Sequence, residues 1–225
     1  RRSEHLDIFR EPDITATPAC GGLTDEYGNF RDASQQLRTI MLQAVEAEPE
    51  ADVPVAKLTG KDASVALRVQ YRRQLAAIAV EDLTAADPVN LQPVVSMWLS
   101  DLATATLEAA LAVSRAELLH RDERTNEVQL AVIAMGKCGA RELNYFSDVD
   151  VIFAHDVVAE SSLSGEAAAD LAAELASGIS TVIMQPAREP GLWEVDTNLR
   201  PEGQDGVLSR TVASHLEYYQ RWAHT

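Results

Sequence analysis

Three aspartates carry most of the chemical information in this sequence. Asp148 and Asp150 stand two apart at the head of an apolar run, Asp148-Val-Asp-Val-Ile-Phe-Ala154, and Asp196 lies in a later run, Leu192–Leu199. Side chains alternate faces along a strand, so Asp148 and Asp150 share one face while Val149, Val151 and Phe153 take the other. Two carboxylates held together repel, which raises the pKa of one of them. A divalent cation removes that penalty, and a donor set made only of oxygens favours Mg²⁺ or Mn²⁺ over zinc. Glu194, Asp196, Asn198 and Arg200 share the polar face of the later run. If the two runs are neighbours, Asp196 completes a three-carboxylate site of the kind that holds metal ions for in-line phosphoryl or nucleotidyl transfer.

Upstream stands Met135-Gly-Lys-Cys-Gly-Ala-Arg141. Gly136 and Gly139 permit a tight turn in which backbone N–H groups approach a phosphate. The turn is expected to open a helix, whose N-terminus favours an anion, with Lys137 and Arg141 adding cations. Ser147 is placed to hydrogen-bond phosphate or to orient Asp148. The planar fork of Arg200 suits phosphate; an ion pair with Glu194 or Glu202 is the alternative. Each piece alone is commonplace on a solvated surface. The informative feature is their order: strand, Gly-Lys turn, an Asp-x-Asp separated from Lys137 by ten residues, then a later strand aspartate.

Other catalytic arrangements are not visible. The five histidines (His5, His120, His155, His215, His224) are scattered; His155, at the end of the Asp-x-Asp strand, is the nearest, and a core or surface position is expected for it. Trp193, Tyr218 and Trp222 read as packing residues, as do Met97, Trp98 and Leu102. Cys20 and Cys138 lie 118 residues apart, which is neither a disulfide framework nor a metal-ligand spacing, and a reducing, cytoplasmic setting is expected.

The elements that must position these groups fall into two parts. The chain has 225 residues, a net charge of −16 and 46% hydrophobic residues, too apolar for an acidic disordered chain. No basic stripe is present, which argues against a nucleic-acid partner or an anionic membrane surface, and no unbroken apolar run is long enough to span a bilayer. The chain begins at Arg1 without Met and reads as part of a longer protein. Its first 31 residues are broken by Pro12, Pro18, Gly21, Gly22 and Gly28 beyond a short helical stretch, Ser3–Arg10. Helices are expected after caps at Asp32 and Asp62, the second with Leu67, Tyr71, Leu75, Ile78 and Leu83 on one face and Arg68, Arg72 and Arg73 largely off it. A long alanine-rich helix follows from about Pro93 to Leu119. After a polar linker, 121–127, come a strand at 128–135, the Asp-x-Asp strand at 148–154, a helix at 164–183, a third strand at 192–199 and a helix at 209–223. The expected division is a helical region, 1–125, and a mixed α+β catalytic domain, 126–225.

Met135-Gly136-Lys137…Asp148-Val149-Asp150-Val151 resembles the polymerase-β-type nucleotidyltransferase signature, with Lys137 where a small residue is usual. The longer strings are more specific. Ala134–Phe153, Glu194-Val-Asp-Thr-Asn-Leu-Arg-Pro-Glu-Gly203, Tyr218-Tyr-Gln-Arg-Trp222 and Tyr71–Leu83 resemble the bifunctional glutamine synthetase adenylyltransferase/adenylyl-removing enzymes. The resemblance implies a small mixed sheet with helices, catalysis and metal binding at Asp148, Asp150 and Asp196, and phosphate or nucleotide contacts from Gly136, Lys137, Gly139, Ser147 and Arg200. It implies ATP, ADP and phosphate as substrates or products, and glutamine synthetase and a PII-type nitrogen signal protein as partners. It also implies further helices beyond Thr225. Lys137-Cys138-Gly139-Ala140 is similar to the N-terminal half of actinobacterial members, the half that removes AMP from a synthetase tyrosine by phosphorolysis. The half that adds AMP from ATP shares the same carboxylates and is the alternative. A non-catalytic nucleotide-sensing module is a third reading, one in which loss of a carboxylate would be expected.

Overall fold

The computed structural model describes residues 33–222. The stretch Ser3–Arg10, the cap Asp32 and Cys20 lie outside the described residues. Helix α1 spans Ser34–Ala44, α2 Gly60–Thr84 and α3 Pro88–Leu119. Two of these starts differ from expectation. Helix α2 opens at Gly60 itself, with Thr59 before it and Asp62 in its first turn. Gly60 adopts φ +60°, and its N–H donates to Glu117 Oε1 at 2.7 Å, which fixes the start. Helix α3 starts at Pro88, where a missing N–H costs nothing, and the Asp87 carboxylate accepts from Asn90 N at 3.2 Å as the cap.

The second part begins with a short 3₁₀ turn, Glu123–Glu127, and strand β1, Val128–Ala134. A single helical turn, α4, covers Gly136–Gly139; strand β2 runs Val149–Val157, helix α5 Gly165–Met184, β3 only Val195–Asp196, β4 Ser209–Thr211 and α6 Val212–Trp222. Strand β2 is central. Strand β1 lies antiparallel along one edge, from Val128 opposite Val157 to Ala134 opposite Val151. Two short strands share the other edge, both parallel to β2: β3 beside Val149 and Asp150, β4 beside Phe153 to His155. The third strand is thus much shorter than expected, and Ser209–Thr211, expected to begin a helix, forms a strand instead.

One apolar core joins all of this. It runs from Leu37 and Met41 of α1, through Leu102 and Leu107 of α3, to Leu175 and Ile179 of α5 and the Val149, Val151, Phe153 face of β2. Each such side chain, fully buried, contributes about 1.5–3 kcal/mol. Buried alanines of α3 let its neighbours approach closely. A Cβ on Gly178 of α5 would collide with Ser114 Oγ, which donates to Leu175 O at 2.9 Å. Helices α3 and α5 also reach the length and mean hydropathy of a membrane span (1.2 and 1.3 in their most apolar windows), through alanine and small residues rather than an unbroken apolar run. In this fold they pack against each other at its centre, and the α3 window is 83% buried.

Candidate active site

The Asp-x-Asp run folds as a central strand because its odd positions are apolar: Val149, Val151 and Phe153 are buried in the core. Asp150 therefore faces the opposite side, and Asp148, just before the strand, lies on that same side. The parallel register then sets Asp196 directly beside Asp150. Val149 N donates to Glu194 O at 2.9 Å, which locks this register, and Asn198 N donates to Asp196 Oδ1 at 2.7 Å, which turns the chain immediately after the carboxylate. Burial, then the charges of Asp148 and Asp196, push the Asp150 carboxyl up; Lys137 nearby partly offsets them. The spacing in the sequence thus brings Asp148, Asp150, Asp196 and Lys137 together.

The donor set suits a hard divalent cation, since all its side-chain ligands are carboxylate oxygens and two of them repel the third. Among the described residues no three His, Cys, Asp or Glu side chains already converge on one metal position, so the trio is a group of neighbours that an ion would draw in.

The Gly-Lys turn is built against this group. Met135 N donates to Asp150 O at 2.8 Å, carrying the β1–β2 pairing to the start of the turn. Gly136 then takes φ +50°, and a Cβ there would run into the Asp150 carboxylate. A Cβ at Gly139 would run into Ala134 O, so both glycines are required by close approach. The expected helix does not continue beyond this turn. Gly139 N and Ala140 N close it onto Met135 O and Gly136 O at 2.8 and 3.0 Å, and Arg141 leaves it at φ +59°. A single turn lacks the aligned peptides that give a helix N-terminus its field, so that contribution to anion binding falls away.

Three cationic or polar groups near the centre make contacts within the fold. Arg141 forks onto Asp101 of α3, Nη2 lying 2.7 and 2.6 Å from the two carboxylate oxygens, and so ties the turn to the long helix. Ser147 Oγ donates to Asn144 Oδ1 at 2.7 Å, and Phe146 N donates to the same oxygen at 3.1 Å, so Ser147 shapes the loop before Asp148. Arg200 turns into its own loop and donates to the carbonyls of Thr197, Gln204 and Gly206 at 2.8, 3.1 and 3.1 Å. It pairs with neither Glu194 nor Glu202; Glu202 pairs instead with Arg210. The Arg200 fork braces the segment after Asp196. His155 is a core residue, 3% exposed, with Nδ1 2.8 Å from Ser209 Oγ. Cys138 is a free, buried thiol whose pKa burial pushes up, which rules it out as a thiolate nucleophile.

Sequence reasoning missed the residues that place Asp196. Arg68, assigned to the polar side of α2, is fully buried. Its guanidinium donates to Val182 O at 3.0 and 2.7 Å, Gln185 O at 2.7 Å and Glu189 O at 2.8 Å. These are the orphan carbonyls at the end of α5 and in the loop that follows. Arg72, one turn on, donates to Pro190 O and Gly191 O at 2.9 and 3.2 Å, and pairs with Glu189 at 3.6 Å. Leu192 N closes the loop onto Ile183 O at 3.1 Å, and β3 begins three residues later. The two arginines thus hold the approach to Asp196 from the helical part of the chain. The sequence offered little to find them by: Arg68 and Arg72 stand one helical turn apart among other polar residues of the same helix.

The fold and this centre define an α+β protein that gathers three carboxylates beside a glycine turn. The glutamate-ammonia ligase adenylyltransferase family model matches residues 23–225, and the chain belongs to that family. It is 43% identical over 193 residues, 84% of this chain, to a bifunctional glutamine synthetase adenylyltransferase/adenylyl-removing enzyme of Bifidobacterium longum subsp. infantis. It is 48% identical over 174 residues, 75% of this chain, to the protein of that name from Leifsonia xyli subsp. xyli, and 47% identical over 162 residues, 72%, to that of Streptomyces coelicolor. The aligned part spans only 16–17% of each of these relatives.

Proposed function

We propose that this chain is a nucleotidyltransferase of polymerase-β type that removes AMP from a tyrosine of adenylylated glutamine synthetase by phosphorolysis, releasing ADP, in the cytoplasm. The observation that carries this reading is the β2–β3 register, which sets Asp150 beside Asp196 with Asp148 on the same side. A relative's name covers both removal and addition of AMP; the Lys137-Cys138-Gly139-Ala140 resemblance favours removal.

Asp148, Asp150 and Asp196 would hold Mg²⁺, which supplies positive charge against the developing negative charge on the adenylyl phosphate. Gly136 keeps the turn pressed against Asp150 and so fixes where that carboxylate stands. Lys137 orients the incoming phosphate as a mobile cation. A phosphate oxygen forms the new bond to the adenylyl phosphorus as the bond to the tyrosyl oxygen breaks, and the phenolate leaves to take a proton. A phenol of pKa about 10 is a workable leaving group once that charge is stabilised. Because removal opposes addition, the whole enzyme needs control, and a PII-type signal protein fits that role as a partner outside the residues described.

The test is to incubate the chain with adenylylated glutamine synthetase, Mg²⁺ and phosphate and to measure ADP, with Asp148→Asn alongside. ADP that requires phosphate and is lost in the variant is the expected result. AMP incorporation into unmodified synthetase from ATP, with no ADP from the adenylylated form, would move the chain to the opposite reaction.

A further inference from the structure

Beside Asp148 the surface opens into a hollow of about 390 Å³ whose walls come from three separate parts of the chain. Tyr71 and Leu75 of α2 form one side, Trp193 the second, and Tyr145 and Phe146 the third, with Asp148 at its edge. Tyr71 and Trp193 meet edge to face, ring centroids 6.4 Å apart at 66°, so that corner is a fixed aromatic wall. The Trp193 indole N–H is buried within that corner.

Phe146 is the telling residue. It is 98% exposed, two positions before Asp148. Leaving a phenyl ring in water forgoes the stabilisation its burial would bring, and nothing in the loop explains that loss. The loop around it is not slack. Tyr145 OH donates to Asp82 Oδ2 at 3.0 Å, Phe146 N to Asn144 Oδ1 at 3.1 Å and Ser147 Oγ to the same oxygen at 2.7 Å. The backbone is pinned on both sides while the ring is held out at the mouth of an aromatic hollow that ends at a carboxylate of the transfer centre.

We infer that this hollow seats a planar aromatic ring carried on the substrate's phosphate, with Phe146 closing over it as a stacking partner. The inference rests on the function proposed above. In an adenylylated tyrosine the same phosphorus bears two such rings, the purine and the phenol, and either would place its phosphate at Asp148. A ring between Phe146 and the Tyr71–Trp193 corner gains stacking contacts on both sides.

The test uses Phe146→Ala, a substitution at an exposed ring that leaves the core untouched, and measures equilibrium binding in Mg²⁺ of three probes: ADP, O-phosphotyrosine and inorganic phosphate. The expected result is about a tenfold or greater loss for at least one ring-bearing probe, with phosphate binding unchanged. Loss for ADP identifies the purine as the occupant, and loss for phosphotyrosine identifies the phenol. Wild-type affinity of Phe146→Ala for both ring-bearing probes overturns the inference and leaves the proposed function standing. If the unaltered chain binds none of the three in Mg²⁺, the proposed function fails and the inference with it.

Discussion

Gly136 and Gly60 form a matched pair from which the contribution of the turn to the centre can be measured. Both have positive φ, +50° and +60°, so alanine at either costs about 1–2 kcal/mol of backbone strain. At 2–4 °C per kcal/mol for a fold of this size, each variant should unfold about 2–8 °C lower. Their surroundings differ. A Cβ on Gly60 meets nothing within 4 Å, whereas one on Gly136 strikes the end of the Asp150 side chain and stands 3.1 Å from its carboxyl carbon. That carboxylate is the tip of a rotatable side chain, so it can swing aside at little further cost in stability. It then no longer stands beside Asp196. A displacement of about 1 Å at a reacting centre costs about 10²-fold in rate. Gly136→Ala should therefore match Gly60→Ala in thermal unfolding and fall at least about 10²-fold below it in phosphate-dependent ADP release. Equal activity in the two variants would show that the turn does not set the position of Asp150, and the account of Gly136 would be wrong.

Arg68→Met should cost about 3–5 kcal/mol in urea unfolding followed by circular dichroism, since it strands three carbonyls that a buried guanidinium now satisfies. Arg68→Lys, which keeps the charge but not the fork, should recover little of it, and a lysine variant as stable as the parent would refute the clamp. Mg²⁺ at tenfold above its dissociation constant should stabilise the chain by about 1.4 kcal/mol; Asp148→Asn should lose this response and, without metal, unfold no earlier than the parent, because a repulsion has been removed. His155 titrates below its ordinary value, chiefly through burial, with His215 adding to the effect and Asp156 opposing it. As pH falls below about 6.5 the unfolded chain takes up this proton first, so stability from His155 is complete above that pH and drains away down to the folded-state pKa. Urea midpoints between pH 7.5 and 5 should accordingly flatten in His155→Gln.

The chemistry was more legible than the geometry that assembles it. Residue type and a spacing of two were enough to put Asp148 and Asp150 on one side of a strand, because strand periodicity is a local property. That Asp196 would lie beside Asp150, and not beside Ile152, is a matter of register between segments 46 residues apart, and no local pattern encodes it. The short strands show the same limit. Ser209–Thr211 is polar, and only backbone pairing with Phe153 to His155 makes it a strand, so side-chain patterning offered nothing to read. The Gly-Lys turn was recognisable from its glycines, but its length is set by contacts: Arg141 leaves the helical region to reach Asp101 of α3.

Arg68 and Arg72 carry this point furthest. As isolated letters they were two polar residues among several on the same helix. In the fold they satisfy carbonyls 114 to 121 residues away. The helical part and the mixed part therefore meet at more than a surface. Helix α2 fixes the loop that delivers Asp196, α3 anchors the turn that flanks Asp150 through Asp101, and Tyr71 of α2 lines the hollow at Asp148. Any boundary drawn between the two parts cuts through the supports of the centre. A change deep in α2 should thus reach the carboxylates as directly as a change in the strands that bear them.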